Sequence, residues 1–175
     1  MFAMSTFISR RAALLGVATA WVVMVTPPVA ALGLPKGQPV LTVQGKIGVR
    51  NQGARAVWDM AMLEALPQQT FTTLTPWENN PIRFSGPLLR DVLAAVKAKG
   101  GNIRATALND YRIDIPMSDA EQFDVIMATR MNGQPMPVRA KGPLFIVYPF
   151  DSRPELRHST YYERSIWQLK SLDIE

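Results

Sequence analysis

The chain has 175 residues, a formal net charge of +5 and a hydrophobic fraction of 47%. This length suits one globular domain with a substantial core, and the basic residues are dispersed, unlike those of a nucleic-acid-binding protein. The sequence contains no cysteine, which excludes disulfides and thiolate zinc sites. His158 is the only histidine, so a multi-histidine metal site is excluded as well.

The N-terminal residues 1–31 have the organisation of an export signal. Arg10-Arg11 precede an uncharged stretch, Ala12–Pro28, and Val29-Ala30-Ala31 supplies the small residues of a cleavage site. The apolar run is short and is interrupted by Thr and Pro, which favours a cleaved signal over a permanent membrane span. We therefore expect a periplasmic or otherwise exported domain of residues 32–175, with no stable membrane span after cleavage.

The export route stays open. Ser9–Leu15 resembles a twin-arginine signal, the route for proteins that are exported already folded. Ala13 and Leu15 stand where that signal usually has Phe and Lys. An ordinary secretory signal that contains two arginines explains the same residues.

The first half of the domain alternates predicted strands and helices. The strand signals are β-rich runs, and the helix signals are apolar residues at helical spacing that end at Pro or Gly. The predicted elements are a strand and turn over Pro39–Val49, a helix over Val57–Leu66, a strand over Thr70–Leu74, a loop over Thr75–Pro81, and a helix over Pro87–Lys99 that Ser85 or Gly86 caps and Gly100-Gly101 ends.

The second half is richer in strands. Tyr111 alternates with Ile113 and Ile115, which predicts that all three face the core. Ser118–Glu121 has the pattern of a capping box that opens a short helix, and Asn132-Gly133 predicts a two-residue hairpin. The predicted strands are Ile103–Leu108, Tyr111–Ile115, Val125–Met131, Leu144–Tyr148 and Ile166–Ile174. This order indicates an α+β fold, a single compact domain of mixed β-sheet with inserted helices.

Three blocks of the sequence resemble the sulfite oxidase-type molybdopterin-binding domain, and they occur in that family's order. The resemblance covers roughly 39–175, and the closing segment Ser165–Ile174 matches the family's final strand. The blocks are Arg83–Leu93 (RFSGPLLRDVL), Asn109–Pro116 (NDYRIDIP), and Met131–Pro137 (MNGQPMP) running on to Gly142–Pro149 (GPLFIVYP).

The cofactor is unknown from the sequence; the resemblance makes molybdopterin a candidate but does not imply molybdenum catalysis. In catalytic members a cysteine thiolate holds the metal, and here the loop Thr75–Asn80 stands in that region without a cysteine. Ligation of molybdenum by cysteine is therefore excluded, and a neutral hydroxyl is a poor substitute. Molybdenum-dependent sulfite or sulfoxide chemistry is not expected, and no catalytic or metal-binding residue is predicted.

Cationic side chains hold the pterin phosphate in that family. Arg139 falls where the family has an arginine before its His-Gly-x-Pro turn, Lys141 replaces the histidine, and Phe145 replaces a later arginine. Lysine still serves as a point-charge phosphate donor. The candidate cofactor-binding or ligand-binding residues are Trp77, Asn109, Asp110, Tyr111, Arg130, Arg139 and Lys141.

Each candidate also has a structural interpretation. Trp77 either packs its loop or stacks on a ligand ring, and Asn109-Asp110 forms a turn or a hydrogen-bonding edge. Arg112 and Asp114 share a strand face and can pair in solvent. His158 has no identifiable nucleophile, which argues against a general base.

Three functions follow as hypotheses. The first is a non-catalytic exported module that binds a small anionic or heterocyclic ligand, or a partner such as a membrane sensor or redox protein. The second is a genuine molybdopterin-binding oxidoreductase subunit. The third is a structural or assembly protein without a small ligand. We favour the first, since fold alone does not establish activity.

Overall fold

The computed structural model describes residues 32–175, and the predicted export signal at 1–31 lies outside the described residues. No helix in residues 32–175 is long and apolar enough to cross a membrane. The described elements are β1 (Pro39–Gly45), β2 (Ala56–Asp59), α1 (Met60–Glu64), β3 (Gln68–Thr73), β4 (Ile82–Pro87), α2 (Leu89–Ala95), β5 (Asn102–Ala107), β6 (Arg112–Pro116), α3 (Met117–Gln122), β7 (Ile126–Ala128), β8 (Arg130–Met131), β9 (Gln134–Pro135), β10 (Phe145–Val147), a 3-10 helix (Pro154–Leu156), α4 (Ser159–Arg164) and β11 (Leu169–Ile174).

The largest sheet has five strands in the order β2-β1-β11-β5-β6. Strands β1 and β11 run parallel, with Thr42 opposite Ser171, and the other neighbours are antiparallel. Leu41 and Val43 alternate with Thr42 along β1 and are fully buried, as expected for one face of a strand against a core. The strands that open and close the described chain therefore lie side by side in this sheet.

Two smaller sheets complete the fold. One has the order β3-β4-β8-β9, and the other pairs β7 with β10. All three residues of β7 and of β10 are buried, which agrees with the predicted apolar strand over Leu144–Tyr148. Mixed sheets with short helices inserted between strands confirm the predicted α+β fold.

The helix predicted over Val57–Leu66 begins later than its apolar spacing indicates. Ala56–Asp59 is strand β2, antiparallel to β1, and the helix is only Met60–Glu64. All four strand residues are buried, so pairing and burial override the helical periodicity. Asp59 ends the strand and caps the helix, because its carboxylate accepts a hydrogen bond from the backbone nitrogen of Met62 at 2.9 Å.

The helix predicted over Pro87–Lys99 is shorter, and its predicted caps are wrong. Helix α2 is Leu89–Ala95, while Ser85 and Gly86 belong to β4, where they pair with β3. Strand residues in a ladder are not free to cap a helix. The first N–H of α2 donates instead to the backbone carbonyl of Val125 at 2.8 Å.

The capping box predicted at Ser118–Glu121 does not form. Helix α3 is Met117–Gln122, and its N-cap is Pro116, without a side-chain capping bond. Ser118 lies inside the helix. Asp119 is buried and bonds to other elements, so its position in the first turn is used for tertiary contacts.

The single strand predicted over Val125–Met131 is two strands in different sheets. Ile126–Ala128 pairs with β10, and Arg130–Met131 pairs with β4. The break falls at Thr129, whose backbone nitrogen donates to the carbonyl of Ser85 at 2.9 Å. The segment Val125–Met131 therefore contributes strands to two different sheets.

The hairpin predicted at Asn132-Gly133 is confirmed. Met131 and Gln134 pair on either side of it. The φ angles of Asn132 and Gly133 are 51° and 81°, and a two-residue turn with both central φ angles positive matches the twist of antiparallel strands.

The side chain of Asp114 has a different partner from the one considered in the sequence. Asp114 lies directly opposite Arg104 on β5, and the two form a salt bridge at 3.0 Å. Arg112 lies opposite Thr106. Cross-strand neighbours are closer than same-strand ones, which explains the difference.

Candidate functional site

A cavity of about 340 Å³ lies between the loop after β3, the turn before β6, and helix α4 with the segment that follows it. We call it the aromatic pocket. Aromatic side chains dominate its walls, and one carboxylate is present. The residues that line it are Trp77, Tyr111, Tyr162, Glu163, Ser165, Ile166 and Trp167.

Trp77 is the centre of an aromatic cluster and also a wall of the pocket. Its ring centroid lies 5.4 Å from that of Trp167 at an interplanar angle of 89°, and 6.3 Å from that of Tyr162 at 72°. It also packs against Phe145 and Phe150 at 6.0 and 6.3 Å. Both interpretations of Trp77 therefore have a basis: it anchors its loop, and part of its ring faces the pocket.

Tyr111 does not lie in the core as its alternation predicted. It precedes β6, and 47% of its surface is exposed. The turn before it explains this, because Asp110 has φ of 65° and Asn109 accepts a hydrogen bond from the backbone nitrogen of Tyr111 at 3.2 Å. The turn directs the ring of Tyr111 to the pocket rather than into the sheet interior.

The other two residues of that turn face elsewhere. Asn109 bonds locally, and Asp110 pairs with Lys170 at 2.6 Å. The hydrogen bond from Lys170 lowers the pKa of the Asp110 carboxyl. Asn109 and Asp110 thus form the predicted turn, and neither lines the aromatic pocket.

The three candidate cations lie outside the lining of the aromatic pocket. Arg130 pairs with Glu64 at 2.8 Å, and Lys141 pairs with Glu78. Arg139 is exposed, and within residues 32–175 it forms no salt bridge.

Lys141 nevertheless connects the two loops that carry the tryptophans. Its ammonium group pairs with Glu78, next to Trp77. Its backbone carbonyl accepts a hydrogen bond from the nitrogen of Gln168, next to Trp167, at 3.0 Å. The ion pair therefore acts as a brace beside the pocket.

The residues at and before the loop Thr75–Asn80, where the resemblance places the metal ligand of catalytic members, offer no soft anionic donor for molybdenum. Thr73 is fully buried, and its hydroxyl accepts a hydrogen bond from the backbone nitrogen of Asp151 at 3.1 Å. The hydroxyl of Thr75 is buried without a hydrogen-bond partner in the described part of the chain. Both hydroxyls are neutral oxygen donors, whereas catalytic members of the family hold the metal with a soft anionic sulfur. Residues 32–175 contain no group of three or more His, Cys, Asp or Glu placed to hold a metal.

Asp151 shows that this region is held together by hydrogen bonds within the protein. Its carboxylate accepts a hydrogen bond from the backbone nitrogen of Leu74 at 2.7 Å and pairs with Arg157. The bond from Leu74 is the main reason that the pKa of Asp151 is lowered. The start of the loop that carries Trp77 is therefore fixed before any ligand binds.

Helix α4 is tied to the core by a buried hydrogen-bond network that the sequence did not indicate. Asp119 accepts hydrogen bonds from the hydroxyl of Tyr148 at 2.7 Å and from Arg164 at 2.9 Å. Tyr148 is completely buried. Because Arg164 ends the helix that carries Tyr162 and Glu163, this network positions one wall of the pocket.

Tyr148 makes the fold lose stability as the pH becomes alkaline. Burial, with a smaller contribution from Asp119, raises the pKa of its hydroxyl far above the ordinary value of 10.0. The folded protein keeps this group protonated, so stability is complete below pH 10.0 and is lost as pH rises above it. We expect the free energy of unfolding to fall by roughly 1 kcal/mol per pH unit more steeply than in Tyr148→Phe. Urea unfolding above that pH measures both slopes, and parallel slopes would contradict the assignment.

Trp167, Tyr162 and Glu163 are pocket residues that were not among the sequence candidates. The available signal was the aromatic density just before the final strand, within the segment Ser165–Ile174 that resembles the family's final strand. The single histidine, His158, caps α4 by accepting a hydrogen bond from the nitrogen of Thr160 at 3.3 Å.

A larger groove of about 550 Å³ runs along the outer side of β1. It is more polar, and two basic residues line it, Arg55 and Lys170, of which Lys170 is paired with Asp110. None of the seven sequence candidates lines it. The aromatic pocket, which contains two of them, is therefore the stronger candidate site.

The comparisons with known proteins agree with the fold. The family model described as "Oxidoreductase molybdopterin binding domain" matches residues 41–150, and a search of curated proteins gave no match. Among solved structures, the chain is similar to the sulfane dehydrogenase SoxCD from Paracoccus pantotrophus, with a TM-score of 0.57 and 16% identity. The match covers 77% of this chain and 37% of that one. The protein therefore belongs to the oxidoreductase molybdopterin-binding domain family.

Proposed function

We propose that this domain is a non-catalytic binding module, in which a family fold built around a metal cofactor holds a small ligand in the aromatic pocket. The observation that carries the proposal is the pocket itself: its aromatic walls include Trp77, Tyr111 and Trp167, and Trp77 lies on the loop Thr75–Asn80, where the resemblance places the metal ligand of catalytic members. A pocket of this volume suits a small molecule.

The chemistry of the neighbouring loop supports a role without molybdenum catalysis. The entire sequence lacks cysteine, and Thr73 and Thr75 offer only neutral hydroxyls. Glu78, the one carboxylate on the loop, is paired with Lys141. No residue in the described region has the combination of soft anionic donor and open position that this metal chemistry requires.

The ligand contacts would come mainly from ring faces. Aromatic rings bind planar or compact groups by stacking and edge contacts, in addition to burial. Trp77 and Trp167 meet at an interplanar angle of 89°, which forms a corner with two different ring orientations. Such a corner recognises the shape of a ligand. It therefore favours a heterocyclic ligand over an anionic one.

Tryptophan fluorescence tests the proposal directly, because two of the tryptophans line the pocket. We expect saturable changes on titration with at least one small probe, among them a pterin, a purine and the ammonium compounds described below. Trp167→Leu is expected to abolish the response, while Leu108→Ala, which changes an exposed apolar residue outside the pocket, leaves it intact. If no probe binds, the module is structural and the proposal fails.

A second candidate is a pterin-binding subunit that holds its cofactor without a protein ligand to the metal. Family membership and the exposed Arg139, which has no salt bridge in the described residues, support it. Under this alternative Arg139 and Lys141 would hold the pterin phosphate, as the resemblance implies.

The double variant Arg139→Gln/Lys141→Gln separates the two candidates. Neither side chain lines the aromatic pocket, so we expect probe binding there to survive, with some loss of stability from the broken Lys141–Glu78 pair. Equilibrium dialysis with a phosphorylated pterin is the complementary measurement. Loss of tight pterin binding in the double variant would favour the second candidate over the first.

The proposal also places the domain outside the cytoplasm. The organisation of residues 1–31 supports export. A membrane sensor or a redox protein remains the proposed kind of macromolecular partner, with the pocket reporting ligand occupancy to it.

A further inference from the structure

We propose that the aromatic pocket is a cation site, which takes a ligand with a quaternary ammonium group. This inference rests on the proposed function, since it names the chemical class of the ligand held in the same pocket. It goes beyond the family, whose cofactor is anionic at its phosphate end.

The first support is the arrangement of the rings. Trp77 meets Trp167 at 89° and Tyr162 at 72°, with centroid distances of 5.4 and 6.3 Å. Rings at steep angles to one another present faces and edges to a common volume and can enclose a compact group on several sides. A methylated ammonium is held by several ring faces at once, because each face carries negative partial charge.

Tyr111 supplies a further ring that the fold itself does not use. It lies outside the aromatic cluster of Trp77, and 47% of it is exposed. Trp167 is 37% exposed. Exposing two large aromatic rings at one cavity is costly in water, and a ligand that covers them recovers that free energy.

The second support is the negative charge of the pocket lining. Glu163 is the only charged residue that lines the pocket, and no basic side chain does so. Glu163 is exposed and forms no salt bridge within residues 32–175. The nearby cations Lys141 and Arg164 are both paired, with Glu78 and Asp119.

This lining discriminates among ligands. An anion would meet a carboxylate and ring faces, which both repel it. A neutral ring would gain from burial but would leave the carboxylate without a partner. A quaternary ammonium is attracted by the ring faces and by the carboxylate of Glu163. It needs no hydrogen-bond acceptor in the pocket because it has no N–H.

The test compares choline with its uncharged carbon analogue, in which carbon replaces the nitrogen. The two have nearly the same shape, so their affinities differ mainly by the charge. We expect choline to bind the purified protein at least about fivefold more tightly, as measured by NMR titration, which corresponds to the strength of a cation–ring contact. Tetramethylammonium is expected to compete with choline.

Substitutions test which residues produce the preference for choline over its carbon analogue. Glu163→Gln is expected to weaken choline and leave the carbon analogue unchanged, while Glu121→Gln, an exposed carboxylate outside the pocket, changes neither. Tyr111→Leu is expected to weaken choline several-fold, and Tyr111→Phe to preserve its affinity, because only the ring face is required.

The outcomes separate the two proposals. If the carbon analogue or a flat neutral heterocycle binds as tightly as choline, the pocket is a ligand site but not a cation site, and the inference is wrong while the proposed function stands. If Glu163→Gln leaves choline binding unchanged, the carboxylate has no role and the inference is equally overturned. If nothing binds, both fail.

Discussion

Asp119→Ala is expected to lower the free energy of unfolding by about 3 kcal/mol. The change removes the acceptor for the completely buried hydroxyl of Tyr148 and for the guanidinium of Arg164. An unpaired hydroxyl in the core and a cation without its partner both carry a desolvation cost. Urea denaturation of the variant and the unchanged protein at neutral pH measures the difference.

Asp124→Ala is the matched control. Asp124 also forms a salt bridge, with Arg90 at 2.8 Å, but its side chain is 71% exposed. An exposed pair contributes about 0.5 kcal/mol or less. Equal losses in the two variants would contradict the role assigned to the Asp119 network.

The Asp119 network also bears on binding. Arg164 ends α4, and the same helix carries Tyr162 and Glu163. With Asp119 replaced, that wall of the pocket is less firmly positioned. We expect Asp119→Ala to weaken ligand binding under conditions where the variant is still folded, and Asp124→Ala to leave it unchanged.

Trp77→Ala is expected to destabilise the fold by about 3 kcal/mol and to eliminate ligand binding in the aromatic pocket. The ring contacts Phe145, Phe150, Tyr162 and Trp167, and truncation leaves a cavity that these rings cannot fill. The estimate takes the lower end of the range for a large aromatic residue, because Trp77 is only half-buried. Denaturation and NMR titration on the same sample measure the two effects.

Two further variants make this prediction specific. Leu74→Ala alters an exposed residue on the same loop and is expected to change neither quantity appreciably. Trp77→Phe retains a ring and should recover part of both. Intact binding in folded Trp77→Ala would show that the ligand site lies elsewhere, in the groove along β1 for example.

The features that sequence predicted well are those fixed by local chemistry. Asn132-Gly133 forms its hairpin because those two residues tolerate positive φ, whatever surrounds them. The apolar run at Leu144–Tyr148 had to be buried. The family blocks added the overall architecture, which hydrophobic patterning alone does not specify.

Two of the predictions that failed depended on partners in other strands, and a third depended on a local turn. Ala56–Asp59 became a strand because β1 lies beside it, and Ser85 could not cap a helix because β3 pairs with it. Tyr111 left the core because of the turn at Asp110. In the first two cases local propensity gave way to pairing with another strand, and in the third the local turn at Asp110 overrode the alternation pattern.

The candidate site shows the same limit. Trp77 and Tyr111 were candidates, but their meeting with Tyr162 and Trp167 depends on how α4 and the final strand pack. Lys141 was a candidate for binding an anion, and its partner Glu78 lies 63 residues away. The sequence therefore indicated several of the residues but not the charge that the pocket presents.

The most direct test of the central claim is to ask what the native protein carries. The protein would be exported by its own N-terminal segment in a molybdenum-replete host, purified and denatured. Released pterin would be measured by the fluorescence of its oxidised form, and molybdenum would be quantified in the same sample. A binding module without molybdenum catalysis predicts neither in stoichiometric amount. One pterin and one molybdenum per chain would contradict it and identify a cofactor-bearing subunit that does without the thiolate.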